Sequence, residues 1–163
     1  MLPKYKNLLD NAQRERKANE HWARSQTHLK GETMLNELKA AHHAAFEQID
    51  CLQCAHCCKT IPPLVTSSDI KRIASFLKTT PKQFTRKYVI TDIDGEQTFS
   101  NVPCVFLGAD NKCTIYEVRP EACRRYPHTD EVAYFQRPTL NIANTLVCPA
   151  AALVVNTLKD KNI

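Results

Sequence analysis

Glycine is scarce in this chain, with three residues among 163 against nine prolines. Such a chain is punctuated by prolines rather than by flexible loops, and it has no glycine-rich loop able to cradle a phosphate. HExxH is missing, as is any Ser/His/Asp grouping with useful spacing. No apolar run approaches the ~20 residues of a membrane span. The opening Met-Leu-Pro-Lys-Tyr-Lys-Asn has no apolar stretch of the signal-peptide kind, so the expectation is a cytosolic protein. There is no arginine-rich run and no pattern of stacking aromatics, which leaves the net charge of +5 a weak pointer to nucleic acid. The length fits one domain, with room for an appended helical arm.

What is present is concentrated. All eight cysteines lie between Cys51 and Cys148, and four of them fall within Cys51-Leu52-Gln53-Cys54-Ala55-His56-Cys57-Cys58. In an oxidising compartment eight thiols suggest four disulfides; in a reducing cytosol the tight spacing points to metal. A Cys-x₂-Cys step turns two sulfurs toward one centre and is a common half-site for zinc and for iron–sulfur clusters. Cys51, Cys54 and Cys57 make two such steps in a row. Cys58 adjoins Cys57, and adjacent residues rarely serve one tetrahedral ion. The pair therefore serves two neighbouring centres or divides into a ligand and a spare thiol.

Two partitions of the cysteines remain open. In one, Cys51, Cys54 and Cys57 join Cys148 of Cys148-Pro149 in a [4Fe–4S] cluster, as in the bacterial ferredoxin pattern. Cys58, Cys104, Cys113 and Cys123 then make a second four-thiol site. In the other, both sites hold zinc and the division of ligands is unspecified. Thiolate-only sites accept zinc and iron–sulfur alike. Thiolate ligands also change the charge balance: two four-cysteine zinc sites bring the chain near neutral. Lys59, Lys112, Arg119, Arg124 and Arg125 stand near cysteines in sequence, as solvated surface or as compensation for thiolate charge, and the three arginines could also clamp an acidic substrate or partner. His56 could replace a thiol or support one, and His42 or His43 could reach a metal; surface or partly packed histidines are the plainer reading.

The pattern predicts helices over about 5–24 and 32–49, broken near Gly31. The cysteine run looks too short and ligand-dense for a regular element, and residues 61–64 look extended. Helices follow from Thr66 to near Thr79 and from Thr80-Pro81 onward. A hairpin is expected over 89–99 around Asp94-Gly95, and a second over 103–116 around Gly108-Ala109-Asp110-Asn111. A short helix begins at Arg119-Pro120 with proline as its first residue, and a terminal helix begins at Cys148-Pro149; residues 128–147 carry no firm signal.

Four blocks resemble the YkgJ-type cysteine-cluster family, the CxxCxxCC domain. They are Cys51-x₂-Cys54-x₂-Cys57-Cys58, Pro103-Cys104-Val105-Phe106-Leu107, Cys113-Thr114-Ile115-Tyr116-Glu117-Val118-Arg119-Pro120, and Cys123-Arg124-Arg125-Tyr126-Pro127. Ser68-Asp69-Ile70, Phe84 and Tyr88 fit its middle, and the likeness covers about residues 51–148. The resemblance implies chelation of zinc or iron. A related cluster in flagellin lysine methylases implies, as an alternative, an iron–sulfur-dependent protein-modifying enzyme; those enzymes are considerably longer. A third reading is a partner-binding module whose N-terminal helices recruit a protein to a metal-stabilised scaffold. The expected architecture is α+β and mainly helical. It comprises an N-terminal helical arm over residues 1–50 and a cysteine-cluster domain over 51–163, with an irregular metal-organised core, short β-hairpins and a C-terminal helix. Without metal, residues 51–148 are expected to lose much of their order.

Overall fold

The computed structural model describes all 163 residues. The elements, in chain order, are α1 (Pro3–Arg14), α2 (Arg16–Ser25), α3 (Glu32–Gln48), α4 (Cys51–Cys54), α5 (His56–Thr60), α6 (Ser67–Phe76), α7 (Pro81–Tyr88), β1 (Val89–Thr91), β2 (Gln97–Phe99), α8 (Glu121–Arg125), α9 (Pro138–Thr145) and α10 (Pro149–Asp160). A 3₁₀ turn at Tyr116–Val118 precedes α8. The protein is thus mainly helical with one small antiparallel sheet. No single helix is long and apolar enough to cross a membrane.

The chain forms two compact units, residues 1–54 with 127–163 and residues 55–126. This grouping differs from the boundary at residue 50 drawn from sequence, because the N-terminal helices share a core with the C-terminal ones. In that first unit, Leu38, Ala41 and Ala45 line one face of α3 at helical spacing. They meet Ala150, Val154 and Leu158 of α10, with Tyr5, Ile49, Cys54, Tyr134 and Phe135 completing the cluster. The alanines let the two helix backbones approach closely, while Leu38, Val154 and Leu158 supply most of the apolar area. Ala23, Ile142 and Val155 form a smaller cluster, and the Trp22 indole donates to the Ile163 carbonyl at 2.8 Å.

The expected helix over 5–24 is two segments meeting at Glu15. The polar stretch there is not wholly solvated: Asn19 is buried, and Lys159 of α10 donates to its side-chain oxygen at 2.8 Å and to Glu15 at 3.1 Å. Residues 128–147, unassigned from sequence, are organised by amides rather than by apolar periodicity. Asn141 donates to the Tyr134 carbonyl at 2.6 Å and Asn144 to the Pro127 carbonyl at 3.0 Å, so α9 fastens the irregular segment before it.

The second unit has its own core of Val65, Ile70, Ile73, Ala74, Phe84, Phe99, Phe106 and Ile115. Helix α6 starts at a reciprocal capping box: the Thr66 hydroxyl accepts from the Asp69 amide, and the Asp69 carboxylate accepts from the Thr66 amide. Thr80 and Gln83 do the same for α7, with Pro81 in the first turn. Strands β1 and β2 pair in register Val89↔Phe99, Ile90↔Thr98 and Thr91↔Gln97. Gly95 takes φ 83° in the hairpin turn, a conformation in which a side chain would be strained. The extended segment after α5 adds a third line to the sheet: Leu64 bridges Thr98, and the Val65 amide donates to the Gln97 carbonyl at 2.8 Å.

Three sequence expectations are corrected here. The cysteine run is two short helices, α4 and α5, separated by Ala55 in a left-handed conformation (φ 47°). The expected second hairpin reduces to the single bridge Leu107↔Cys113, because the chain turns into the 3₁₀ segment just after Cys113. Pro120 is the N-cap of α8 rather than its first residue.

In the segment before α9, Glu131 accepts from His128 at 2.7 Å and from Arg137. Burial raises the proton affinity of Glu131, but these two partners outweigh it and hold its pKa down to about 2. The carboxylate therefore contributes stability above its unfolded-state pKa of ~4.3 that is lost as pH falls toward about 2. Glu131→Gln is expected to flatten the acid-unfolding curve between those limits while lowering stability at neutral pH. Paired helical-dichroism titrations of the two proteins check it.

Candidate metal centre

All eight cysteines are thiols. In the unit formed by residues 1–54 and 127–163, the α3 helix end sets up the first pair. The Asp50 amide donates to the buried Tyr5 hydroxyl at 2.9 Å, and the Asp50 carboxylate accepts from the Leu52 amide at 2.8 Å. These bonds fix the start of the single turn that carries Cys51 and Cys54. Cys54 is buried within the main apolar cluster; Cys51 is exposed. Cys148 is the N-cap of α10, and its amide donates to the Asn144 carbonyl at 2.8 Å. Burial pushes the Cys148 thiol up to about 12. The amides of Ala150 and Ala151 directed at the sulfur pull the other way, while Cys51 and Cys54 lie close enough to raise it further. The sequence expectation of a cysteine opening the terminal helix holds, and these three thiols share one neighbourhood.

In residues 55–126, four segments are tied together by main-chain bonds. The Cys104 amide donates to the Cys58 carbonyl at 2.8 Å. The Leu107 amide turns back to the Cys104 carbonyl at 3.0 Å, Leu107 bridges Cys113, and the Thr114 amide donates to the Phe106 carbonyl at 2.8 Å. Arg124, beside Cys123, donates to the Glu117 carbonyl at 2.5 Å and to the Arg119 carbonyl at 3.2 Å, which joins α8 to the 3₁₀ turn after Cys113. Cys104 and Cys113 also pack against the phenylalanine core.

The electrostatics of this group are one-sided. Burial raises the proton affinity of Cys104, Cys113 and Cys123, the last to about 12. Each is raised again by neighbouring thiols: Cys58 acts on all three, and Cys104 and Cys113 act on Cys123. The amides of Phe106 and Ile115 are directed at the sulfurs of Cys104 and Cys113, the arrangement that favours a thiolate. Cys58 is held down to about 7, first by the Cys57 thiol 4.0 Å away and then by its own amide and Lys59, against burial. Arg119 favours the thiolates of Cys113 and Cys123.

A thiol set so placed fits a thiophilic metal by its chemistry: soft donors with amides aimed at sulfur. The fit is one of donors and segment placement, since no three Cys, His, Asp or Glu groups converge at ion-holding geometry.

The other candidates divide. His56 has its imidazolium disfavoured by burial and then by Lys59. His42 is part-buried against Phe46 and bonded to the Thr129 hydroxyl at 2.9 Å, so it is a packed histidine; His43 meets it edge to face. Arg119 and Arg124 bond main-chain carbonyls, and the Arg119 guanidinium lies 3.8 Å over the Tyr116 ring, which favours scaffolding over a substrate clamp. Lys112 makes a surface ion pair with Asp110.

Asp69 was not singled out as a site residue from sequence, where it served as a helix-start signal and as part of the Ser68-Asp69-Ile70 block of the family resemblance. Its buried carboxylate accepts from the Thr66 amide and hydroxyl, from Arg72 and from the Glu121 amide at 3.1 Å. Arg72 in turn donates to the Arg119 carbonyl at 2.9 Å. One carboxylate thus fixes α6 to the Arg119–Glu121 segment that delivers Cys123. Only the Ser/Thr-x-x-Asp spacing hinted at it.

Thiols drawn from distant segments around a small fold define a cysteine-cluster metal-binding class of protein. Residues 50–149 match the family described as "CxxCxxCC: Putative zinc- or iron-chelating domain", and the chain belongs to that family. It is similar to a protein of Methanocaldococcus jannaschii named Uncharacterized protein MJ0661, 35% identical over 85 residues. That match spans 50% of this chain and 46% of the relative, about half the length of each. No solved structure matches.

Asp69→Asn places an amide N–H₂ where backbone and guanidinium donors need an acceptor. It is expected to destabilise residues 55–126 by about 3 kcal/mol. Urea unfolding followed by tyrosine fluorescence, compared with Asp110→Asn as a surface control, checks it.

Proposed function

We propose that the protein binds zinc or iron through Cys51, Cys54, Cys57, Cys58, Cys104, Cys113, Cys123 and Cys148, as ions or as an iron–sulfur cluster of the [4Fe–4S] type, in a cytoplasmic setting. One observation carries the reading: main-chain bonds bring segments far apart in sequence together so that part-buried thiols neighbour one another. Thiols so grouped repel as thiolates, which a divalent ion offsets, and membership of a zinc- or iron-chelating family agrees with it. A metal held by four thiolates has no open position and serves as a cross-link or an electron carrier. The chain's own part is to collect the donors, dry their surroundings and aim amides at the sulfurs. Cys57 belongs to the same account: its spacing from Cys51 and Cys54 groups it with them, while its sulfur lies beside that of Cys58.

The two apolar clusters narrow the sequence expectation about metal-free chain. Neither cluster needs metal to exclude water, so order is expected to be lost chiefly around residues 51–58 and 104–126, with α3, α6, α7 and α10 retained. Anaerobic purification with metal and sulfide analysis tests the function. Stoichiometric zinc or iron is expected, coloured if a cluster is present, and hydrogen exchange after chelation is expected to accelerate in the thiol segments first. A chain that takes up neither metal under anaerobic, metal-supplemented conditions overturns the reading.

A further inference from the structure

Strand β1 is the edge of its sheet, since β2 pairs with it on one side and with residues 63–65 on the other. The Ser100 amide donates to the Tyr88 carbonyl at 2.9 Å, and the Asp92 amide to the Glu96 carbonyl at 2.8 Å. Hydrogen-bonded pairs alternate along an antiparallel ladder, so Ile90 turns its main-chain groups toward β2 while Val89 and Thr91 turn theirs outward. The Val89 amide is taken by the Thr85 carbonyl at the end of α7. The Val89 carbonyl and the amide and carbonyl of the exposed Thr91 are left without a main-chain bond to another segment. Side chains directly opposite one another share a sheet face. Leu64, Thr98 and Ile90 therefore form one row on the outward face, while Val65, Phe99 and Val89 pack into the phenylalanine core on the other. Leu64 and Ile90 are each 48% exposed, and Ile93 at the turn is wholly exposed. Opposite charges flank the edge. Lys82, Arg86 and Lys87 of α7 precede it and Asp92, Asp94 and Glu96 follow it, all exposed and none in an ion pair within the chain.

We propose that β1 is the contact of a symmetric dimer, in which two copies of this chain pair their β1 edges antiparallel about a two-fold axis. Centred on Ile90, the pairing lets the Thr91 amide of each copy donate to the Val89 carbonyl of the other. It also sets Ile90 against Ile90, so that the outward apolar row runs on from one sheet into the next. Residues equidistant from Ile90 meet across the axis. The basic end of α7 in one copy then lies by the acidic turn of the other, and the two-fold repeats that contact. A second copy is the occupant because the segment is complementary to itself: one surface supplies the open donor and acceptor, the apolar row and both signs of charge. Protein edges that stay unpaired are commonly blocked by a charge, a proline or a bulge. Val89-Ile90-Thr91 has no charge and no proline, and its register with β2 is unbroken. An edge this short buries little area, so the dimer is weak and forms as concentration rises.

The experiment is analytical ultracentrifugation of the full chain, purified anaerobically and kept in reductant so that no disulfide joins the copies. A reversible dimer is expected at ~100 µM, its dissociation constant rising about tenfold between ~50 and ~500 mM salt as the exposed charges are screened. Arg86→Glu with Lys87→Glu is expected to be monomeric, and so is Asp94→Lys with Glu96→Lys. Asp92 is left in place because its carboxylate accepts from the Asp94 and Glu96 amides. Mixing the two variants is expected to restore a 1:1 dimer, since both ends of the contact again join opposite charges. Ile90→Lys is expected to dissociate the dimer with helical dichroism unchanged. Hydrogen exchange of the wild type gives a reading that needs no variant: protection at Thr91 is expected to rise with protein concentration, and protection that stays constant overturns the proposal. A wild-type chain that is monomeric at ~100 µM in low salt overturns it too, whether its edge stays open or takes a different protein. So does a dimer that survives the charge reversals and Ile90→Lys, which is then built on another surface, and so does failure of the two folded charge variants to recombine.

Discussion

Neighbouring thiols cannot all ionise unless something positive joins them, and the part-buried Cys58, Cys104, Cys113 and Cys123 of residues 55–126 are such neighbours. Lys59 favours the thiolate of Cys58, and Arg119 those of Cys113 and Cys123. The rest of the local structure holds the sulfurs together in spite of their repulsion. Main-chain bonds join the loops, the phenylalanine core backs Cys104 and Cys113, and Asp69 anchors the segment before Cys123. Cohesion of this kind, supplied by residues other than the cysteines, keeps the cysteine segments of residues 55–126 together rather than scattered.

Asp69 illustrates how that cohesion is achieved with few residues. A buried carboxylate is costly unless every lone pair is used. Here four donors converge on it, and they come from the helix it caps, from Arg72 one turn along, and from Glu121 some fifty residues later. The pKa of Asp69 is lowered even though burial works the other way, because hydrogen bonds to the charged form dominate. A capping residue has become a long-range tie.

Much of this was legible in the sequence, for reasons that differ by element. The starts of α6, α7 and α10 were readable because capping residues and proline act within one turn of chain. The first hairpin was readable because Asp94-Gly95 fixes its own turn. The cysteine segments were harder. Ala55 adopts a left-handed conformation with no glycine to announce it, and the 3₁₀ turn after Cys113 draws on bonds from Arg119 and Arg124 that local propensity does not register. The segment before α9 was opaque because Asn141 and Asn144 organise it, and asparagine reads equally well as solvated loop. The pooling of residues 1–54 with 127–163 was likewise hidden, since periodicity shows that α3 and α10 each have an apolar face but not that the two faces meet.

The candidate ligands themselves were legible by type and not by grouping. Spacing places Cys57 and Cys58 together, and on α5 their sulfurs do lie 4.0 Å apart. The Cys58 carbonyl accepts from the Cys104 amide at 2.8 Å, so the end of the CxxCxxCC run is joined to a much later segment by a bond that residue spacing does not register.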